Sequence, residues 1–257
     1  MCLIAFSYKQ HPQYDLVFIA NRDEFYERPT RKARFWDEEP DILAGKDLKA
    51  GGTWMGITRD GRLSALTNYR DMANRKENAP SRGHLVRNFL AGDIAPESYL
   101  QQLHSKAEQY NGFNLLVGSI HNLMYYSNKT GQPVSLDAGL YGLSNHLLDT
   151  PWPKTERSKK QLSEVIRQDT IDESSLFEIL KNDQAAPDSR LPDTGLSRDL
   201  ERAVSPIFIA TEEYGTRCST ILLVGSNGQV TFEERRYKKG SATVKDNSRF
   251  EFELEGR

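Results

Sequence analysis

Cysteine is scarce in this chain. Only Cys2 and Cys218 occur among 257 residues, far apart and outside any C-x-x-C pair or Cys/His ligand spacing, so a disulfide framework and a structural zinc site are unsupported. Histidine is nearly as rare, with five residues and no H-x-E or C-x-x-C-H motif, which argues against a metal centre or covalent haem attachment. No run approaches the roughly 18 to 20 apolar residues of a membrane span. The N-terminal M-C-L-I-A-F-S-Y turns polar at Lys9, too short for a signal-peptide core and without a basic flank, so a cytoplasmic protein is expected. An excess of one charge is also lacking: 34 basic against 36 acidic residues give a net charge of −2, with no field to draw in nucleic acid. What remains is an ordinary globular balance, 37% hydrophobic and 27% charged, read as one domain over 1–257.

Residues 2–8 alternate loosely between apolar and small side chains, and 16–20 form a short apolar run, which together predict a hairpin starting at the N-terminus. Asn21, Arg22, Asp23 and Glu24 follow, and with the basic, proline-containing stretch to Arg34 they read as a functional loop. Asp60-Gly61 predicts a tight turn between strands at 54–58 and 62–68. Helices are expected from Ser81 to Gly92 and from Pro96, strands at 113–119, 123–126 and 140–143, and a second helical pair around 162–166 and 176–180. Residues 184–200 read as a long surface loop, and 207–210, 219–224 and 230–237 return to strand pattern. From about 238 the chain is polar and expected to be loosely held, with Phe250 and Phe252 alternating as an edge strand. Segregated helical and strand blocks favour a layered α+β architecture.

Cys2 stands out by position. Once the initiator methionine is removed, its α-amine, titrating near 7.7–8.0, lies beside its thiol, near 8.5, so one residue supplies both base and nucleophile. Its company sharpens the signal. Cys2-Leu3-Ile4-Ala5-Phe6, Asn21-Arg22-Asp23-Glu24, Gly45, Leu48-Lys49-Ala50-Gly51-Gly52-Thr53-Trp54 and Ala65-Leu66-Thr67-Asn68 resemble the NRDE family, also called the transport and Golgi organisation protein 2 family. The resemblance extends through Ser81-Arg82-Gly83, Tyr110-Asn111-Gly112-Phe113-Asn114, Gly142-Leu143-Ser144-Asn145 and Thr216-Arg217-Cys218-Ser219-Thr220, nearly the whole chain. It implies a four-layer αββα sandwich, the N-terminal-nucleophile (Ntn) hydrolase fold. More distantly, the pattern is similar to the choloylglycine hydrolases and penicillin V acylases.

That second resemblance implies roles. Cys2 matches the nucleophile, Arg22 and Asp23 the arginine and aspartate that tune it, Asn68 an oxyanion-hole asparagine, Asn145 a second asparagine, and Arg217 a late active-site arginine. Arg22 and Asp23 are adjacent here, whereas the hydrolases space them apart. Neighbouring strand residues point to opposite sides, so only one is expected to reach Cys2, with Asn21 or Glu24 filling the other role. Phe25, Trp54 and Tyr69 are candidates for an apolar ligand pocket, although such aromatics also serve simply to complete a core. The implied activity is hydrolysis or acyl transfer on a non-peptide amide or thioester of a small molecule, with no required cofactor. A different reading, proposed for the NRDE family, is a carrier or chaperone holding haem or fatty-acyl-CoA in the same cleft, with Arg28, Arg31, Lys32 and Arg34 meeting propionate or phosphate groups.

Overall fold

The computed structural model describes residues 2–255; Met1, Gly256 and Arg257 lie outside it, and with them the question of methionine removal. Alternation along the first segment sets the boundary between layers. In β1 (Cys2–Tyr8), Ile4, Phe6 and Tyr8 enter one apolar cluster while Ala5 enters another on the opposite face. In β2 (Tyr14–Phe25), Leu16, Phe18 and Ala20 join the first cluster, and Val17 and Ile19 the second. Cys2 and Arg22 continue the inward series and lie directly opposite each other in the antiparallel register.

The chain continues through β3 (Thr30–Phe35), β4 (Ile42–Asp47), β5 (Met55–Thr58), β6 (Leu63–Asn68), α1 (Gly83–Leu90), α2 (Pro96–His104), β7 (Phe113–Gly118), β8 (Leu123–Ser127), β9 (Val134–Ser135) and β10 (Gly139–Leu143). Next come α3 (Pro153–Val165), α4 (Glu173–Leu180), α5 (Arg198–Ala203), β11 (Tyr214–Gly225), β12 (Gln229–Tyr237) and β13 (Val244–Glu253). The strands form two antiparallel sheets, ordered β10-β1-β2-β11-β12-β13 and β3-β4-β5-β6-β7-β8-β9. Ile4, Phe6 and Phe18 of one sheet pack between the layers with Leu43, Ile57 and Leu116 of the other. Helices α1 and α2 cover the outer face of the seven-stranded sheet through Val86, Phe89 and Leu100, and α3 and α4 cover the six-stranded sheet through Leu162, Leu176 and Phe177. The result is the expected αββα sandwich. Among the described residues, no helix is long and apolar enough to cross a membrane.

Several expectations change. Residues 21–25 are not a loop: they complete β2, because β1 and β11 flank it and satisfy its backbone groups to the end. The surface stretch 184–200 runs into α5, whose Glu201 is buried. Residues 207–210 contribute only the isolated bridge Ala210–Gly215. The edge strand expected around Phe250 and Phe252 is present as β13, and it begins at Val244, within the polar stretch expected to be loosely held; the Phe250 and Phe252 rings meet Phe35 edge-on at 5.8 and 5.7 Å.

One polar bridge crosses the inner layer. Glu234 on β12 is buried, accepts from the Ala33 backbone N–H on β3 at 2.8 Å and hydrogen-bonds the Cys218 thiol. Burial raises its carboxyl above the ordinary value of 4.5. A raised folded-state pKa means that the folded chain holds this proton more tightly than the unfolded one. The stabilisation is full below 4.5 and lost as pH rises through the folded value. Glu234→Gln, neutral at every pH, is therefore expected to gain on the wild type between pH 4 and 7, measured as the difference in urea midpoints; an unchanged difference would contradict the shift.

Candidate active site

The inward face of the six-stranded sheet ends in a cleft of about 430 Å³. Its lining includes Cys2, Arg22, Asp23, Glu24, Trp54 and Asn68. Cys2 is half-buried at the start of β1, and its carbonyl accepts from Ser144 Oγ at 3.1 Å. Burial pushes its thiol above the ordinary range, against a hydrogen bond from the Asp23 backbone and the charge of Arg22, which both pull it down. The resting group is a thiol that needs a base. Cys218, two strands away across β2, is fully buried, and its thiol is raised further by burial beside Glu234. It is chemically shielded, and the two cysteines are unpaired.

Arg22 and Asp23 do point to opposite sides, yet both are among the residues that line the cleft with Cys2. The Arg22 guanidinium stacks on the Trp54 ring at 4.3 Å and lies 3.7 Å from Asp47 Oδ2 and 3.9 Å from Glu24 Oε2. Trp54 can approach because Gly45 lacks a Cβ, which would stand 2.2 Å from the indole. Asp23 faces the helical layer, where its Oδ1 accepts from Thr216 Oγ1 at 2.7 Å. Burial raises the Asp23 carboxyl, while the ammonium of buried Lys154 favours its ionised form. Burial in turn lowers Lys154 to about 8, with Asp23 opposing. Lys154 Nζ donates to the Val204 carbonyl at 2.9 Å, fixing the cation behind the carboxylate.

Removing the Arg22 charge takes away an interaction that favours the thiolate, so the thiol pKa rises and less thiolate exists at neutral pH. Arg22→Gln is expected to slow iodoacetamide alkylation of Cys2 at pH 7 by about threefold to tenfold, with the rate recovered at higher pH. A pH–rate profile identical to the wild type would remove Arg22 from the thiol's environment.

Asn68 closes β6, and its side-chain amide makes no hydrogen bond among the described residues, leaving it available to the cleft. Asn145 stands behind it. Its Nδ2 donates to the Asn68 carbonyl at 2.8 Å, and its own carbonyl accepts from the Arg70 N–H at 2.8 Å, so it positions Asn68 and does not line the cleft. Arg217 is also displaced from its expected role. It occupies a β-bulge between Thr216 and Cys218, where Nη1 donates to the Phe25 and Arg28 carbonyls at 2.8 and 3.0 Å and holds that turn. Asn21 faces outward; Nδ2 donates to the Leu180 and Ile207 carbonyls at 2.8 and 2.9 Å, a buried tie to the helical layer. Phe25 is 56% exposed beside Tyr214, and Tyr69 meets His146 Nε2 through its hydroxyl at 2.9 Å. Neither aromatic lines the cleft.

Other residues complete the site. Asp47 holds Arg28 Nε at 2.6 Å and, through Oδ1, accepts from the N–H groups of Lys49 and Ala50. Gly51, at φ +75°, turns the chain, and Gly52 rests on Gly83, where a Cβ would lie 2.4 Å from the backbone. That contact sets the start of α1, and with it Arg82, against the cleft mouth. Arg82 lies within the family motif Ser81-Arg82-Gly83, its only signal in sequence. Lys154 had none, since a lysine at the first turn of a helix reads as solvated.

Similarity to known proteins follows the same lines. The family profile described as Transport and Golgi organisation 2 matches residues 1–239. The mouse Transport and Golgi organization 2 homolog is 39% identical over 98% of this chain and 96% of its own length, and the cattle homolog 38% identical over 99% and 100%. Among solved structures, a variant of the conjugated bile acid hydrolase from Clostridium perfringens superposes with a TM-score of 0.55 at 10% identity, covering 100% of this chain and 93% of that one. This likeness concerns the fold, the Ntn-hydrolase sandwich. Matched by profile over nearly all its length and by relatives end to end, the chain belongs to the Transport and Golgi organisation 2 family.

Proposed function

We propose that this chain is a cysteine hydrolase or acyltransferase of the Ntn type, acting on a non-peptide amide or thioester of a small molecule through Cys2. One observation carries the reading: half-buried Cys2, beside Arg22 and Asp23, lines a cleft that Asn68, with its uncommitted side-chain amide, also lines. Fold likeness licenses such a site without choosing its reaction. In the proposed cycle, removal of Met1 frees the Cys2 α-amine as the base. The amine takes the thiol proton, and Sγ attacks the carbonyl carbon to form a C–S bond. Asn68 donates to the developing oxyanion. Collapse breaks the C–N or C–S bond of the substrate, and the leaving group takes the proton from the ammonium. Water or an acceptor then cleaves the acyl-Cys2 thioester and restores the thiol. Two unpaired cysteines fit a reducing compartment such as the cytoplasm.

A haem or fatty-acyl carrier draws little support from this cleft. Arg22, Arg28, Lys49 and Arg82 face Asp23, Glu24, Asp47 and Glu77 around it, and no histidine is among its lining residues. Such walls suit a polar ligand better than a macrocycle or an acyl chain.

The deciding experiment is intact mass of the protein as expressed, before and after a thiol-selective acylating probe, for wild type and Cys2→Ala. The expected result is loss of Met1 and a single adduct that Cys2→Ala abolishes. Retained Met1, or a Cys2 that takes no adduct, would overturn the hydrolase reading.

A further inference from the structure

Arg22 and Arg28 lie within ion-pair range of both Glu24 and Asp47. Two cations that line the cleft, Lys49 and Arg82, have no carboxylate within 4.0 Å among the described residues; Lys49 is exposed, whereas Arg82 is half-buried. Its guanidinium donates through Nη1 to the Gly112 carbonyl at 2.8 Å, leaving the edge formed by Nε and Nη2 uncommitted. Burial disfavours its charge, and Arg75 and Arg28 add to the cost. What favours the charge is Glu24, already shared by two other arginines, and the ionised form of the Cys2 thiol. A half-buried guanidinium that lines the cleft among other cations, with Nε and Nη2 uncommitted, is suited to meet an anion. A planar fork suits carboxylate or phosphate oxygens in particular.

We propose that Arg82 is the anion receptor of this cleft, so that the ligand is a small amide or thioester bearing a carboxylate or phosphate, held with its carbonyl toward Cys2. The orientation rests on Cys2 as nucleophile; the anion preference does not. At about 430 Å³ the cleft lies toward the lower end of small-molecule sites, consistent with a compact acyl compound.

The test uses Cys2→Ala protein, in which no acyl-enzyme can form, titrated calorimetrically with N-acetylglycine, N-acetyl-O-phosphoethanolamine and the neutral N-acetylglycinamide. At least one anionic compound is expected to bind about tenfold or more tightly than the neutral amide. Whether the carboxylate or the phosphate binds more tightly identifies the group. Adding Arg82→Gln is expected to bring the ratio close to one, while Arg82→Lys keeps part of it; if the glutamine variant unfolds, the lysine variant must still lower the ratio. Equal affinity for charged and neutral compounds, no binding by either anion, or a preference surviving both substitutions would overturn the assignment. Incubating wild-type protein with the same compounds reads the reaction separately. Anion preference without turnover would count against the hydrolase reading and support the receptor.

Discussion

Asn68→Ala is expected to slow acylation of Cys2 by roughly 100-fold to 1000-fold, the usual cost of losing one oxyanion donor. The Asn68 carbonyl is anchored by Asn145 Nδ2 at 2.8 Å, and its backbone pairs with Phe113 in the seven-stranded sheet, so the residue is fixed while its side-chain amide stays uncommitted. Burst acylation by an activated acyl ester, followed by intact mass, measures the loss. Alkylation by iodoacetamide is the control, because displacement at a saturated carbon develops no oxyanion. Acylation should fall while alkylation stays within about twofold, as expected when only a transition-state interaction is removed. Parallel loss of both would mean that Asn68 supports the thiol and not the oxyanion.

Glu201→Ala is expected to destabilise the fold by about 3–5 kcal/mol, the cost of leaving a buried charge without its partner. Arg70 Nη1 lies 2.5 Å from Glu201 Oε2, with the side chains only 5% and 1% exposed, and Oε1 accepts from the Thr194 backbone N–H at 3.1 Å. Burial lowers the Arg70 guanidinium, and Glu201 counters it. Urea unfolding gives the loss directly. Arg70→Met combined with Glu201→Met should recover much of it, since apolar residues of similar volume often replace a buried pair without penalty. A loss under about 1 kcal/mol would mean that the pair behaves like a solvated surface bridge. The pair also bears on the site: the Arg70 N–H holds Asn145, and Asn145 holds Asn68.

Much of the fold was legible along the chain because local chemistry set it. Asp60-Gly61 marked the turn where Gly61 adopts φ +85°, and Pro96 marked the first turn of α2. Alternation in residues 2–8 foretold β1, and in that strand Cys2 falls in the same parity as Ile4 and Phe6. Residues 21–25 were misread because polar side chains suggest a loop, while two flanking strands determine whether the backbone extends. The edge strand at Phe250 and Phe252 was legible, but its polar start at 244–248 was not, because pairing with β12 and not its own hydrophobicity extends it there.

For the site, the resemblance to the choloylglycine hydrolases and penicillin V acylases grouped Cys2, Arg22, Asp23 and Asn68, and all four line one cleft. Sequence reasoning assigned Asn145, Arg217 and Asn21 to the same task, and the structure gives them to support: Asn145 behind Asn68, Arg217 in a bulge holding a turn, and Asn21 tying β2 to the helical layer. Motifs record which residues accompany one another, but the direction of a side chain depends on strand parity, bulges and what lies across the layer. Lys154, Asp47 and Arg82 come from separate elements that meet only when the layers stack. The chain by itself singled out Cys2, the layered fold and the family; the tertiary structure decided which charges surround Cys2, because burial and pairing are properties of the assembled layers and not of any one segment.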